Sequence, residues 1–125
     1  MWEFFEPELR KRLSELTVDA TMSERVRAAL LEQLPAGTGH MDGVARTLGV
    51  SSRTLQRKLK AEGATFQRIL SDVREQLARH YLSSSRMPAA EISFLLGYGD
   101  PNSFYRAFHA WTGQTPEAVR SAALH

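Results

Sequence analysis

Two groups of polar side chains in this chain have the types and the spacing to form paired hydrogen bonds with the edge of a planar base. Arg53, Gln56 and Arg57 are three and four residues apart, so a helix would present all three on one face. Asn102 and Arg106 would share a face in the same way. Arginine can donate two hydrogen bonds to guanine, and glutamine or asparagine can pair with adenine. The spacing permits recognition of base edges in a DNA major groove, although an arginine on a helix face is usually only solvated.

These groups lie in two stretches that resemble each other. Residues 44–63 read VARTLGVSSRTLQRKLKAEG, and residues 92–113 read ISFLLGYGDPNSFYRAFHAWTG. Each runs from a short apolar segment through a glycine-containing turn into a helix that ends at glycine. This order is typical of a helix-turn-helix, whose second helix can enter the major groove.

The rest of the sequence also predicts helices. Apolar residues recur at steps of three and four, and no segment alternates long enough to predict a strand. The predicted fold is all-α: two helix-turn-helix units joined by a long linking helix, with one or two extra N-terminal helices. The predicted helices cover residues 7–16, 22–34, 41–48, 52–62, 66–82, 89–96 and 101–111, and a last one opens at 115–117.

Capping residues mark most of these helix starts. Thr21 with Glu24 three residues later forms a capping box. Gly43 weakens the helix predicted at 41–48 by up to ~1 kcal/mol relative to alanine. Side-chain N-caps are predicted at Ser51, Thr65, Asp100 and Thr115.

Charge and composition narrow the range of possible functions. The formal net charge is +2, yet residues 52–86 hold eight basic and three acidic side chains, which favours a polyanionic partner. The absence of cysteine excludes disulfides and thiolate metal sites. The four histidines are scattered without metal-ligand spacing, and no phosphate-binding loop occurs. We expect no catalytic residues, no metal, no cofactor and no membrane partner, and a cytoplasmic location.

From about Met41 to Arg120, the sequence resembles the AraC/XylS family of bacterial transcription regulators. The resemblance rests on LGVSSRTLQRKLKAEG, FQRILSDVREQLARHYL and ISFLLGYGDPNSFYRAFHAWTGQTPEAVR in that order. It implies a seven-helix domain that binds double-stranded DNA sequence-specifically. His40 and Pro88 depart from the pattern of the family, which often has serine or threonine there to cap the first helix of each unit. The recognition helices, at about 52–62 and 101–111, would read successive major-groove segments. The implied base-reading residues are Arg53, Gln56, Arg57, Asn102, Ser103 and Arg106.

Phosphate contacts would set the register of the protein on DNA. Lys58 and Lys60 point sideways from the first recognition helix, and helix N-termini can receive phosphates. The linking helix, about 17 residues at 1.5 Å per residue, would span about 25 Å and could hold the two recognition helices one DNA turn apart. The expected phosphate contacts are Ser52, Thr54, Lys58, Lys60, Tyr105 and Thr115, with Arg68 and Arg86 as further candidates.

The first 34 residues would form a different part of the protein. They resemble the helices that join the DNA-binding part to an N-terminal effector or dimerisation domain in one subgroup of the family. The expected division is therefore joining helices at 1–34 and the double helix-turn-helix domain at 35–125. The chain would be either a C-terminal piece of a larger regulator or a naturally short relative. RNA polymerase is a further candidate partner, since activators of this class touch it.

Two other hypotheses compete with DNA binding. An enzyme would need an acid–base pocket, and Asp72 with Glu75, three residues apart, is the nearest approach to a carboxylate pair. A helical protein-interaction module would use the amphipathic face of residues 1–34. Salt-dependent affinity for duplex DNA separates both alternatives from the favoured reading.

Overall fold

The computed structural model describes residues 20–124, and all regular secondary structure in that range is helical. The predicted all-α class with a long linking helix is confirmed. The helix predicted at 7–16 lies outside the described residues. The seven helices are α1 (Met22–Gln33), α2 (Met41–Thr47), α3 (Ser52–Ala61), α4 (Phe66–Ser84), α5 (Ala89–Leu95), α6 (Pro101–Thr112) and α7 (Pro116–Leu124).

The helices are divided between two compact units, with the division inside α4. Unit 1 ends at Val73 and unit 2 begins at Arg74. Unit 1 contains the first helix-turn-helix, α2 and α3, and unit 2 contains the second, α5 and α6. In unit 1, α1 packs against both α2 and α3. Each helix-turn-helix therefore belongs to its own unit.

The two helix-turn-helix turns close with the same hydrogen bonds. The Gly49 N–H donates to the Arg46 carbonyl (3.1 Å), and the Gly97 N–H donates to the Phe94 carbonyl (3.1 Å). The next residue in each turn donates to the carbonyl five positions earlier, at 3.0 Å in both. Both glycines have positive φ, 75° and 86°, which side chains other than glycine rarely adopt. The repeat seen in the sequence is thus a repeat of backbone geometry.

The predicted side-chain caps are confirmed. Ser51 Oγ accepts from the Thr54 N–H (3.1 Å), and Thr65 Oγ1 accepts from the Arg68 N–H (3.1 Å). His40 and Pro88 give α2 and α5 no side-chain cap bond, as expected. Each of these helices has only seven residues, so both depend on tertiary packing.

Gly43 has a role beyond its low helix propensity. A Cβ atom at this position would lie 3.0 Å from the Thr38 carbonyl oxygen. The glycine therefore lets α2 approach the preceding loop closely, which accounts for its presence inside a short helix.

A carboxylate from the first recognition helix caps the start of α1. Glu62, at the C-cap of α3, accepts hydrogen bonds from the Met22 N–H (2.8 Å), the Ser23 N–H (2.9 Å) and the Ser23 hydroxyl (2.6 Å). Thr21 Oγ1 accepts from the Glu24 N–H in the same turn (3.1 Å). The first-turn N–H groups of α1 thus have acceptors. Donation from the Ser23 hydroxyl, and then from the two N–H groups, lowers the pKa of Glu62.

We predict that Glu62→Ala lowers the free energy of unfolding by about 1 kcal/mol at pH 7, the usual cost of losing a helix N-cap. Glu24→Ala is the matched control, because Glu24 is an acid in the same helical turn and its carboxylate accepts no hydrogen bond from a described residue. Only the Thr21 half of the predicted capping box is formed. Since the folded-state pKa of Glu62 is lowered, its contribution is full above the ordinary pKa of a glutamate. The contribution is lost as the pH falls through the lowered value. Urea unfolding at several pH values measures both effects, and equal losses in the two variants would contradict the prediction.

Candidate nucleic-acid interface

The first recognition helix, α3, buries its two leucines and exposes its charged side chains. Leu55 and Leu59 are 0% and 1% exposed, and they hold one face of α3 in the core of unit 1. Arg53, Gln56 and Arg57 are all exposed. The predicted base-reading side chains of α3 therefore have solvent access, because the leucine pair fixes the rotation of the helix.

The basic side chains of α3 are not neutralised by neighbouring acids. The helix carries Lys58 and Lys60 in addition to its two arginines, and it contains no acidic residue. Both lysines are exposed, and no ion pair joins any of these four cations to another described residue. This face of α3 thus presents positive charge to any polyanion that approaches it.

The hydroxyls of two predicted phosphate contacts in unit 1 take part in hydrogen bonds inside the protein, Ser52 as a donor and Thr54 as an acceptor. The Ser52 hydroxyl donates to the carboxylate of Asp42 in α2. The Thr54 hydroxyl oxygen lies 3.0 Å from Ser51 Oγ, which donates to it. These contacts align α3 with the preceding turn.

The second recognition helix, α6, is built in the same way. Phe104 and Phe108 are 0% exposed and are tilted against each other, with 5.7 Å between ring centroids. Asn102 and Arg106 are exposed on the other side. The predicted base-reading pair of α6 is thus available to solvent.

Ser103, the third predicted base reader of α6, is engaged by the helix cap. Its N–H and hydroxyl both donate to the carboxylate of Asp100, at 2.8 Å and 2.9 Å. These bonds lower the pKa of Asp100, and the nearby charge of Arg106 lowers it further. Asp100 is therefore a fixed negative charge at the N-terminus of α6.

The remaining predicted phosphate contacts of unit 2 also have partners inside the protein. The Tyr105 hydroxyl donates to Glu117 in α7, and this acceptor raises the pKa of Tyr105. Thr115 Oγ1 accepts from the Ala118 N–H (3.1 Å) as the cap of α7. Unit 2 consequently presents fewer unoccupied donors than unit 1.

Two arginines that the sequence analysis did not single out hold the second unit together. Arg74 Nε donates to the Leu96 carbonyl (2.8 Å), and its guanidinium lies 4.3 Å from the centre of the Tyr98 ring, in the turn before α6. Arg120 Nε donates to the Leu82 carbonyl (3.2 Å) near the end of α4. The partners are 22 and 38 residues away, so no local pattern could indicate them.

A cavity beside α3 offers no acid–base pair. This cavity of about 350 Å³ opens beside the C-terminal end of α3, and Lys60 is its one titratable lining residue. No cluster of histidine, aspartate or glutamate within residues 20–124 could hold a metal ion. No helix in that range is long and apolar enough to cross a membrane.

Comparison with known proteins agrees with this geometry. The helix-turn-helix domain family matches residues 44–122. The ornithine utilization regulator of Pseudomonas aeruginosa is 41% identical over 110 residues, which are 88% of this chain and 32% of that protein. The transcriptional activator RhaS of Shigella boydii is 37% identical over 93 residues, 74% of this chain and 34% of that protein. The chain thus spans about a third of the length of these relatives.

Solved structures give the same result. The transcriptional regulator CdpR of Pseudomonas aeruginosa superposes with a TM-score of 0.69 and 39% identity, covering 80% of this chain and 31% of that one. The C-terminal domain of AraT, a response regulator from Geobacillus stearothermophilus, has a TM-score of 0.69 and 28% identity, covering 82% and 86% of the two chains.

The fold and its outward recognition helices define a helix-turn-helix DNA-binding domain of transcription regulators. Within that class, the chain belongs to the AraC/XylS family. Because its relatives are transcription regulators, this membership confirms the expectation that the chain is not an enzyme.

We predict that Arg74→Ala lowers the free energy of unfolding by about 2 kcal/mol, because it removes a charged hydrogen bond and a cation–π contact. Arg79→Ala is the control on the same helix, since its exposed pair with Glu75 (3.0 Å) is worth only about 0.5 kcal/mol. Urea unfolding gives both values. Hydrogen exchange at Tyr98 should accelerate only in the Arg74 variant, and equal effects from the two variants would refute the assignment.

Proposed function

We propose that this chain binds double-stranded DNA sequence-specifically by placing α3 and α6 in successive major-groove segments. The observation that carries the proposal is the equivalence of the two helices. Each buries an apolar pair four residues apart and exposes an arginine midway between them, Arg57 in α3 and Arg106 in α6. Two like faces in one chain favour a site with two short segments about one turn apart.

The side chains divide by role. Arginine, glutamine and asparagine can each form two hydrogen bonds to one base, so these residue types are suited to reading sequence. Arg53, Gln56 and Arg57 would read the first segment, and Asn102 with Arg106 the second. Ser103 would contribute an acceptor, since its hydroxyl proton is directed to Asp100.

Phosphate contacts would come mainly from lysines and from helix N-termini. Lys58 and Lys60 have no acidic partner among the described residues. Ser52 would contribute through its backbone N–H at the start of α3, because its hydroxyl donates to Asp42. Thr54 and Thr115 would contribute through their hydroxyl protons, because these hydroxyl oxygens act as acceptors and the Thr54 N–H donates to Ser51. Tyr105 would reach a phosphate only by exchanging its bond to Glu117.

The roles of residues 1–34 and of any further partner are inferred from membership of the family. Since the relatives are about three times longer, we propose that residues 1–34 join the DNA-binding part to an N-terminal effector or dimerisation domain. Within that segment, α1 would also brace the first helix-turn-helix through Glu62. RNA polymerase is the proposed partner in activation. Binding to the bacterial chromosome would take place in the cytoplasm.

Selection from a random duplex library at near-physiological salt tests the proposal. Enrichment of two short segments about ten base pairs apart is the expected result. A single enriched segment would refute reading by both helices. No enrichment, with binding that only fades as salt rises, would refute specificity in this chain. Absence of binding would favour the protein-interaction reading.

We predict different effects from an arginine and a lysine of α3. Arg57→Ala should cost on the order of 1–3 kcal/mol of binding free energy on the selected site and relax specificity in the first segment. Lys60→Ala should weaken all sequences alike and flatten the salt dependence by about one unit in a log–log plot. Titrations of both variants on the selected and a scrambled duplex measure this. A Lys60 variant with altered sequence preference would contradict the assignment.

A further inference from the structure

The internal repeat supplies a residue-by-residue comparison of the two recognition helices. Leu55 and Leu59 of α3 occupy the same buried positions as Phe104 and Phe108 of α6. The second turn has one additional residue, Gly99, between its closing hydrogen bonds and the helix cap. Once this insertion is allowed for, every exposed position of α3 has an equivalent in α6.

The comparison shows that unit 2 lacks the lysines of unit 1. Lys58 and Lys60 follow Arg57 in α3, and the equivalent positions in α6 hold Ala107 and His109. The base-reading arginine is retained in both helices, whereas the two lysines beside it are absent from α6. The difference thus falls on the residues suited to phosphate rather than on those suited to bases.

Negative charge does not separate the two helices, because Asp42 and Glu62 lie beside the ends of α3 as Asp100 and Glu117 lie beside α6. The cap of α3 is Ser51, which is neutral, whereas the cap of α6 is Asp100. Glu117, in the first turn of α7, adds a second carboxylate beside α6 through its bond to Tyr105.

Most of the other arginines of unit 2 form hydrogen bonds or ion pairs within the protein. Arg74 and Arg120 donate to backbone carbonyl oxygens, and Arg79 pairs with Glu75. Arg86 is exposed and has no such contact with a described residue. Five arginines in unit 2 therefore leave only two, Arg86 and Arg106, with their guanidinium groups available.

We infer that the two units contribute unequally to DNA binding. Unit 1 makes most of the ionic contacts with the phosphate backbone, and so supplies most of the salt-dependent binding. Unit 2 recognises the bases of the second DNA segment with few ionic contacts. This inference rests on the proposed DNA binding. It implies that the first segment of the operator is needed for stable binding, while the second mainly discriminates between sites.

Matched removal of two positive charges from each unit tests the inference. One variant is Lys58→Ala with Lys60→His, which gives α3 the residues of α6, and the other is Arg86→Gln with Arg106→Gln. Binding to a duplex of arbitrary sequence is measured at several salt concentrations and at pH 8, where imidazole carries little charge. Thermal unfolding checks that both variants fold.

The lysine variant should flatten the log–log salt slope by about two, since each lost phosphate contact removes about 0.9. The arginine variant should flatten it by less than one. Equal flattening, or a larger effect of the arginine variant, would overturn the unequal division and leave DNA binding itself intact. Wild-type binding without salt dependence would instead refute the proposed function.

A gain of contacts tests the same inference in the opposite direction. Ala107→Lys with His109→Lys gives α6 the lysines of α3. On a selected duplex whose two segments are both protected in a footprint, the salt slope should steepen by up to about two. An unchanged slope on that duplex would overturn the claim that missing lysines account for the weak hold of unit 2.

Discussion

The outward faces of both recognition helices depend on one constraint: each helix must bury an apolar pair on its opposite side. In α3 the pair is Leu55 and Leu59, and in α6 it is Phe104 and Phe108. A pair four residues apart occupies one stripe, so its burial fixes the rotation of the helix about its axis. That rotation decides which polar side chains face solvent. The short helices before each turn have too few residues to be stable alone, so they depend on packing in their unit.

The two units satisfy this constraint with different supports. In unit 1, the Glu62 carboxylate joins the end of α3 to the start of α1. In unit 2, Arg74 holds the turn itself through the Leu96 carbonyl. A charged hydrogen bond thus holds the turn of unit 2, whereas in unit 1 a carboxylate joins two helices.

This difference has an electrostatic consequence. An arginine that donates to a buried carbonyl is unavailable to a phosphate, so structural use of Arg74 and Arg120 reduces the charge that unit 2 can offer to DNA. Unit 1 meets its structural needs with Glu62 and leaves the cations of α3 exposed. When an acid has the structural role, the basic side chains stay available to bind phosphate. When an arginine has that role, one basic side chain is no longer available. The inferred difference in ionic contacts with DNA thus follows from which side chains stabilise each unit.

The sequence by itself determined the helices, their caps and the polar faces of α3 and α6, because these depend on hydrogen bonds and periodicities within about four residues. The cap at Asp100 and the burial of Phe104 are examples. Tertiary structure alone decided which polar groups remain available. Tyr105 is occupied by a carboxylate 12 residues away, and Arg74 by a carbonyl 22 residues away. Such partners meet only when separate helices pack, and no local pattern records that approach.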